Sequence, residues 1–243
     1  MNKKILLLGA SLDSDNKGVN ALGIGAISLL NNNFDSPIIN LLCIGIPEVT
    51  VKKIHVSDKD LKVTVYYLSK EDVLKGIIEA YLYRFLRIKP KSKISKLIIS
   101  SDFSFDINEG DSFSDIYGLK RIIRHFTDSK LILSWQKPLI FLPQTIGPFE
   151  TFVGKKLGKH ILKRINKLYV RDEKAFDFLD KIKKEKELSI DMAVYMTPKK
   201  VKIEIKKNTV GINVSGLMYL NGYKSLEGKY DNYPVFLRRL VNR

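Results

Sequence analysis

Short apolar runs alternate with longer amphipathic stretches along this chain, and that alternation predicts the fold class. Ile5–Leu8 is brief and wholly apolar, as a buried strand is, and the polar segment Ser11–Asn20 follows it. Asn20–Leu30 (NALGIGAISLL) is apolar nearly all round, which predicts a buried helix. Gly23 and Gly25 there serve close packing, because GVNALGIG lacks the G-x-G-x-x-G dinucleotide spacing. Ile38–Ile46 and Val63–Leu68 predict further strands. Glu71–Arg87 carries Leu74, Ile77, Ile78, Tyr81, Leu82 and Phe85 at helical spacing. Leu97–Ile99 and Phe103–Ile107 return the chain to a sheet, and Asp115–Phe126 predicts a helix through Ile116, Leu119, Ile122, Ile123 and Phe126. Leu139–Leu142 (strand), Thr151–Ile165 (helix), Lys167–Val170 (strand) and Glu173–Lys183 (helix) continue the alternation. The expected class is α/β, a Rossmann-like, doubly wound, mostly parallel sheet.

Thr197–Asn208 (TPKKVKIEIKKN) breaks the pattern, being polar and rich in lysine. Thr209–Val214 then predicts a fresh strand, ending in the small residues Ser215 and Gly216. The expected organisation is a Rossmann-like domain over 1–197, a linker over 198–208, and the start of a second Rossmann-like domain over 209–243. From Thr209 onward only 35 residues remain, too few for an independent α/β domain, so the chain is expected to be the first portion of a longer protein.

Composition narrows the function classes. With 44% hydrophobic and 28% charged residues the chain can bury a core. A single cysteine, Cys43, excludes a disulfide framework or a cysteine metal site and reads as a small core residue. The amino terminus has lysines before an apolar run, but Ile5–Leu8 is too short for a signal peptide, and no stretch approaches the roughly 18 apolar residues of a membrane span. A cytoplasmic location is expected. The net charge of +16 is concentrated in Arg84–Lys96, Lys155–Lys167, Lys181–Lys186 and Lys199–Lys207. No nucleic-acid module accompanies it, so no nucleic-acid partner is expected. Solvated lysine-rich surface is one reading; attraction to an anionic membrane face or an acidic lipid-linked glycan is the other.

Candidate chemistry lies in the loops after strands, where open α/β sheets bind ligands. Asn16, Gly18 and Asn20, with Asp13 and Asp15, follow the first strand. Asn108, Glu109, Gly110, Asp111, Ser112 and Asp115 follow Phe103–Ile107. Gln144, Thr145 and Gly147 follow Leu139–Leu142, and Arg171 with Asp172 follows Lys167–Val170. Asp191 comes next, and Asn213 and Ser215 belong to the second domain. Glycine lets backbone approach a ligand, and helix N-termini offer N–H groups to phosphate, so the layout suits a phosphorylated small molecule. Arg171 either clamps such an anion or pairs with Asp172 or Glu173. Helix capping accounts for part of the Asp111–Asp115 group. His55, His125 and His160 pair with no nucleophile motif, and no metal site is expected.

The strings NEGDSFSDIYG (Asn108–Gly118), LPQTIGPF (Leu142–Phe149), YVRDEKAFDFL and IDMAVYM (Ile190–Met196) stand in an order and spacing that resembles the polysaccharide pyruvyl transferase family. DNKGVNALG is similar to that family's first loop, keeping Asn16, Gly18 and Ala21 but placing Val19 where an acid is often seen. The resemblance covers roughly residues 1–220 and implies the first half of a GT-B-type two-domain fold with its active site in the interdomain cleft. It implies transfer of a pyruvyl group from phosphoenolpyruvate to sugar hydroxyls of a surface or capsular glycan, forming a ketal, with no other cofactor. Phosphoenolpyruvate and a glycan or lipid-linked sugar acceptor are the implied partners, with Arg171 on the donor and Asp111 or Asp115 as the catalytic carboxylate. The family's carboxyl-terminal domain supplies a basic R-x-H element and further donor contacts, and this sequence has no histidine after His160. A nucleotide-sugar glycosyltransferase and a non-catalytic glycan-binding remnant are the alternatives.

Overall fold

The computed structural model describes residues 2–242 except 57–58, 112, 181, 183–184, 199–203, 205, 220–227 and 229. The chain divides into two compact units, Met1–Thr197 and Pro198–Arg243.

The first unit is built on one sheet of eight strands: β1 (Lys4–Leu8), β2 (Ile38–Ile44), β3 (Glu48–Val56), β4 (Lys59–Leu68), β5 (Phe103–Asp106), β6 (Leu139–Gln144), β7 (Lys167–Val170) and β8 (Glu187–Leu188). Their order is β3-β4-β2-β1-β5-β6-β7-β8, and every pairing is parallel except the β3–β4 hairpin. Alternation along β1 shows how both faces are filled. Ile5 and Leu7 enter one core with Ala26, Ile27 and Leu30 of α1 (Lys17–Asn33), while Leu6 and Leu8 enter the other. That second core collects Val73 and Ala80 of α2 (Lys70–Leu86), Ile94 and Ile98 of α3 (Lys93–Ser100), and Ile122 and Ile132 of α4 (Leu119–Ser134). It continues through Ile161 of α5 (Phe152–Leu162) and Leu179 of α6 (Glu173–Asp180). Each fully buried Ile or Leu contributes about 1.5–3 kcal/mol, so β1 anchors both layers. The expected α/β class with a mostly parallel sheet and helices on both faces is the fold observed.

Several local expectations change. Leu97–Ile99 is helical within α3: Ser92 caps that helix by accepting from Ser95 N–H, and a three-residue run is too short to carry its own period. The β3 strand went unpredicted because its apolar residues change phase at Lys52–Lys53: Val49 and Val51 lie on the exposed face, Ile54 and Val56 on the buried one. The α4 helix runs on to Ser134, eight residues past Phe126. In α2 the buried residues are Val73, Gly76 and Ala80, whereas Leu74, Ile78, Tyr81 and Phe85 are exposed.

In the second unit, Thr209–Val214 forms no strand and is largely exposed, which corrects the expectation of a strand there. An apolar run becomes a strand only when a partner satisfies its backbone, and none pairs with it among the described residues. Among the described residues of this unit the helices are α7 (Gly216–Tyr219) and α8 (Tyr233–Val241).

Candidate functional site

The chain leaves β1 toward β2 on one side and returns to β5 on the other, so the sheet's topological switch point lies between the carboxyl ends of β1 and β5. A cavity of about 290 Å³ opens there, among Ser11, Asn16, Tyr67, Glu109, Arg124 and Asp128. Gly9 makes the approach of the two strand ends possible. It holds φ +65°, and a Cβ there would lie 2.4 Å from Asn108 N. Glu109 N–H donates to Gly9 O at 2.8 Å, joining the loops. Asn108 and Glu109 themselves adopt positive φ (41° and 54°), at a cost of roughly 1–2 kcal/mol per residue.

The first loop is shaped by two asparagines singled out from the sequence. Asn20 accepts from Ser14 N–H (2.9 Å) and donates back to Ser14 O (2.8 Å). Asn16 caps α1 by accepting from Gly18 N–H at 2.9 Å and Val19 N–H at 3.4 Å. Gly18 lies in the exposed first turn of α1. Beside the loop, Lys52 and the Tyr67 hydroxyl bond Asp13; the Lys52 contact chiefly holds its carboxyl below the usual range.

The far wall is α4, whose Arg121, Arg124, His125 and Asp128 all line the cavity. Sequence reasoning missed these four, although spacings of three, four and seven residues place them on one helical face. The signal was legible beside the apolar stripe of the same helix. Both Arg121 and Arg124 bond Glu109. Burial would raise the Glu109 carboxyl, but the charges of Arg124 and Arg121 outweigh it and hold it low. His125 is buried, and burial reinforced by Arg124 pushes it down to about 3, leaving it neutral. Burial lifts Asp106 to about 7, partly offset by Asn108 N–H (2.9 Å) and the Ser129 hydroxyl. Asp128 is lifted to about 7 by burial and by Asp106. Cys43 donates to Ala10 O at 3.4 Å and is pushed up to about 12 by burial, so its thiol stays protonated.

The two motif loops form a second, adjoining assembly. Phe113 and Ile146 pair as a parallel bridge, Thr145 N–H donates to Gly110 O (2.8 Å), and Gly147 N–H donates to Phe113 O (2.9 Å). Ser114 donates to Pro148 O (2.7 Å), and Gln144 Nε2 to Asp106 O (3.0 Å). Asp115 accepts from Glu150 N–H and Thr151 N–H, both at 2.8 Å, and from the Thr151 hydroxyl. Burial would raise the Asp115 carboxyl, but the Thr151 and Glu150 bonds prevail and keep it ionised. This is the geometry of a positioning residue that ties one loop to the start of α5. Asp111 accepts from the Tyr117 hydroxyl at 2.6 Å, while Ser112 lies outside the described residues.

The outer edge of these loops faces a second cavity, of about 1040 Å³, among Thr145, Gly147, Arg171, Asp172, Phe178 and Asp191. Arg171 donates from Nε to the Thr145 hydroxyl (3.0 Å) and from a terminal nitrogen to Asp191 (2.6 Å). Thr145 in turn donates to Asp172 (2.6 Å), so the guanidinium is held from two sides at the end of β7. Gly110 abuts it, since a Cβ on Gly110 would lie 3.1 Å from an Arg171 nitrogen. Thus Gly110, Gln144, Thr145, Gly147 and Arg171 are brought together, and Asn16, Gly18 and Asn20 shape the neighbouring crevice. In the second unit, Asn213 is exposed without regular structure, and Ser215 accepts from Met218 N–H at 3.3 Å.

Two solved structures share a slight likeness with the chain. One is described as trehalose-6-phosphate from E. coli bound with UDP-2-fluoro glucose (12% identity, TM-score 0.34, 73% of this chain and 42% of that one). The other is an alpha,alpha-trehalose-phosphate synthase (UDP-forming) from Burkholderia vietnamiensis (10% identity, TM-score 0.34, 74% and 43%). The chain therefore spans less than half the length of either, and the overlap is too slight to extend the description of the fold. No curated protein matches. The polysaccharide pyruvyl transferase family model matches residues 16–242, nearly the whole chain, and takes in both motif loops, α4 and Arg171. The chain belongs to the polysaccharide pyruvyl transferase family.

Proposed function

We propose that this chain contributes one half of a GT-B-type enzyme that transfers a pyruvyl group from phosphoenolpyruvate to two hydroxyls of a sugar in a surface polysaccharide or its lipid-linked precursor. The observation that carries this reading is Arg171, a guanidinium fixed by Thr145 and Asp191 at the mouth of a large cavity, in a chain of this family. A preorganised guanidinium matches a carboxylate or phosphate, and phosphoenolpyruvate has both.

The chemistry assigns needs to groups. The donor's methylene carbon takes up one hydroxyl proton, two C–O bonds form at the neighbouring carbon, and the bond to the phosphate oxygen breaks. Inorganic phosphate leaves with the second proton. A carboxylate with a proton affinity near neutrality suits the proton transfers. Asp128, lifted to about 7 and facing the switch-point cavity, meets that requirement, and Asp111 beside Tyr117 is the alternative carried by the family resemblance. Asp115 is left to position the loops. Arg171 and the Arg121–Arg124 pair supply positive charge on either side of the motif loops as charge moves to phosphate.

The test is phosphate release on mixing the protein with phosphoenolpyruvate and acidic or neutral glycans, alongside a melting-temperature shift with phosphoenolpyruvate alone. Release that depends on both substrates supports the reading. Turnover of a nucleotide sugar with release of nucleoside diphosphate would replace it with glycosyl transfer. A glycan that binds saturably without any turnover would make the chain a binding module.

A further inference from the structure

One helix of the first unit packs its small residues and Ile77 against the core and leaves most of its large apolar residues outside. The α2 residues Val73, Gly76 and Ala80 face the core, and the larger apolar residues stand in solvent: Leu74 is 56% exposed, Ile78 49%, Tyr81 39% and Phe85 70%. At about 100° per residue these four fall within an arc of roughly 60°, on the side of the helix away from the buried stripe. Two further apolar residues are exposed at the end of the helix, Leu86 (64%) in its last turn and Ile88 (48%) just past it. Isolated apolar residues on a surface need no explanation, but a contiguous row of four with two more at its end does.

Charge accompanies it. Arg84–Lys96 reads RFLRIKPKSKISK, with six basic residues and no acid, and every residue from Tyr83 to Lys89 is exposed. The Arg84 guanidinium lies 5.6 Å from the Phe85 ring centre, Tyr81 and Phe85 stack at 6.3 Å, and Lys130 of α4 sits 5.6 Å from the Tyr81 ring. Few acids stand against this charge, and among the described residues only Glu79 of α2 touches the segment, accepting from the N–H groups of Lys91 and Ser92. Glu79 bonds the Ser92 hydroxyl and backbone at the start of α3, and Asp72 closes the capping box of α2. Glu71 stays in the first turn, at the far end of the helix from Phe85.

We infer that this face of α2, with the Arg84–Lys96 segment beside it, is a docking surface for an anionic lipid bilayer. An exposed apolar row containing aromatics and flanked by Lys and Arg is the composition of a helix that lies in the membrane interface. There the apolar side enters the headgroup boundary while the basic side chains meet anionic lipids. Among the described residues no helix is long and apolar enough to cross a membrane, so the contact is one of surface attachment. A partner protein would bury the apolar row equally well, but six cations against the single Glu79 carboxylate at the flank favour a uniformly negative surface. The attachment does not depend on the pyruvyl transfer reading and stands or falls separately from it.

The test is sedimentation of the whole chain with vesicles of phosphatidylcholine alone and of phosphatidylcholine containing phosphatidylglycerol, with light scattering on the lipid-free protein. Binding should require the anionic lipid and weaken with added salt. The double variant Leu74→Ser/Phe85→Ser should bind at least about tenfold more weakly. The variant Arg84→Gln/Arg87→Gln/Lys89→Gln should lose about fivefold per charge removed. Since all five side chains are exposed, melting temperatures should stay at the wild-type value; if the double variant melts early, Phe85→Ser alone serves, with a several-fold loss expected. Equal sedimentation with neutral vesicles, or unchanged binding by both sets of variants, would overturn the inference. So would a dimer in the lipid-free protein that Phe85→Ser dissociates, because the face would then belong to a second copy.

Discussion

The motif loops and the switch-point crevice lie side by side and hold similar side chains, yet they spend them differently. In the loops Asp115 accepts from Glu150 and Thr151 N–H, Ser114 donates to Pro148 O and Thr145 N–H donates to Gly110 O, so much of the polarity there goes into holding Asn108–Gly118 against Leu142–Thr151. In the crevice Asn16 and Asn20 fix the first loop, while Arg121 and Arg124, paired with Glu109, and Asp128 line a cavity. The family's recognisable strings are thus largely an internal clasp, and the charged wall comes from a helix whose sequence carries no motif. A conspicuous string marks where geometry is constrained, which is not always where a ligand is touched.

Breaking the clasp should have the largest effect. Asp115→Ala removes three acceptor bonds and leaves two backbone N–H groups at the start of α5 without their partner, a loss of about 4 kcal/mol in denaturant unfolding. Asp115→Asn, which retains one acceptor oxygen, should recover part of that. A loss below about 1 kcal/mol would mean the loops are held by Phe113, Ile146 and Phe149 alone.

The crevice should announce itself through pH. Burial lifts Asp106 to about 7 in the fold from its ordinary 3.8, so between those limits the folded state holds an extra proton and stability falls as pH rises. His125 titrates near 3 against 6.5, so over nearly the same window the unfolded state holds the extra proton and stability rises with pH. The two oppose each other. Asp128, lifted to about 7 in part by Asp106, acts in the same direction as Asp106. Asp106→Asn removes the first contribution and eases that of Asp128, so the slope of stability between about pH 4 and pH 6.5 should become more positive by up to about 1.4 kcal/mol per pH unit from Asp106 itself, with a smaller share from Asp128. The variant's advantage at pH 8 should reach about 2–3 kcal/mol, below the full shift because a hydrogen bond to Asn108 or Ser129 is weakened. An unchanged slope would show that Asp106 is ionised in the folded protein.

The smallest expected change in stability is at the outer cavity. Arg171→Ala should alter unfolding by no more than about 1 kcal/mol, since its partners Thr145 and Asp191 keep other bonds, but should weaken phosphoenolpyruvate binding by about 1.5–3 kcal/mol. A binding change within about 0.5 kcal/mol would return Arg171 to a structural role between β6 and β7.

What could be read from the sequence follows from the range of the interactions concerned. The strands of β1, β2, β5, β6 and β7 were legible because a strand buried on both faces is a continuous apolar run, and their alternation with helices sets the α/β class. The need for small residues at Gly23 and Gly25 was legible too; a Cβ on Gly25 would lie 1.8 Å from Met192 O. The family strings placed Gly110, Gln144, Thr145 and Arg171 together, because each ends a strand of one sheet. The rest required partners distant in the chain. That Asp115 faces α5 depends on a loop 35 residues away, and that α4 presents arginines to Glu109 depends on two positive-φ residues after β5. The outward face of α2 had the same helical period as a core face, and periodicity alone does not say which side is covered. Local hydrophobic pattern determined the elements and their class; tertiary packing decided which polar groups were consumed and which were left facing a cavity, since burial and charge pairing are properties of neighbours in space.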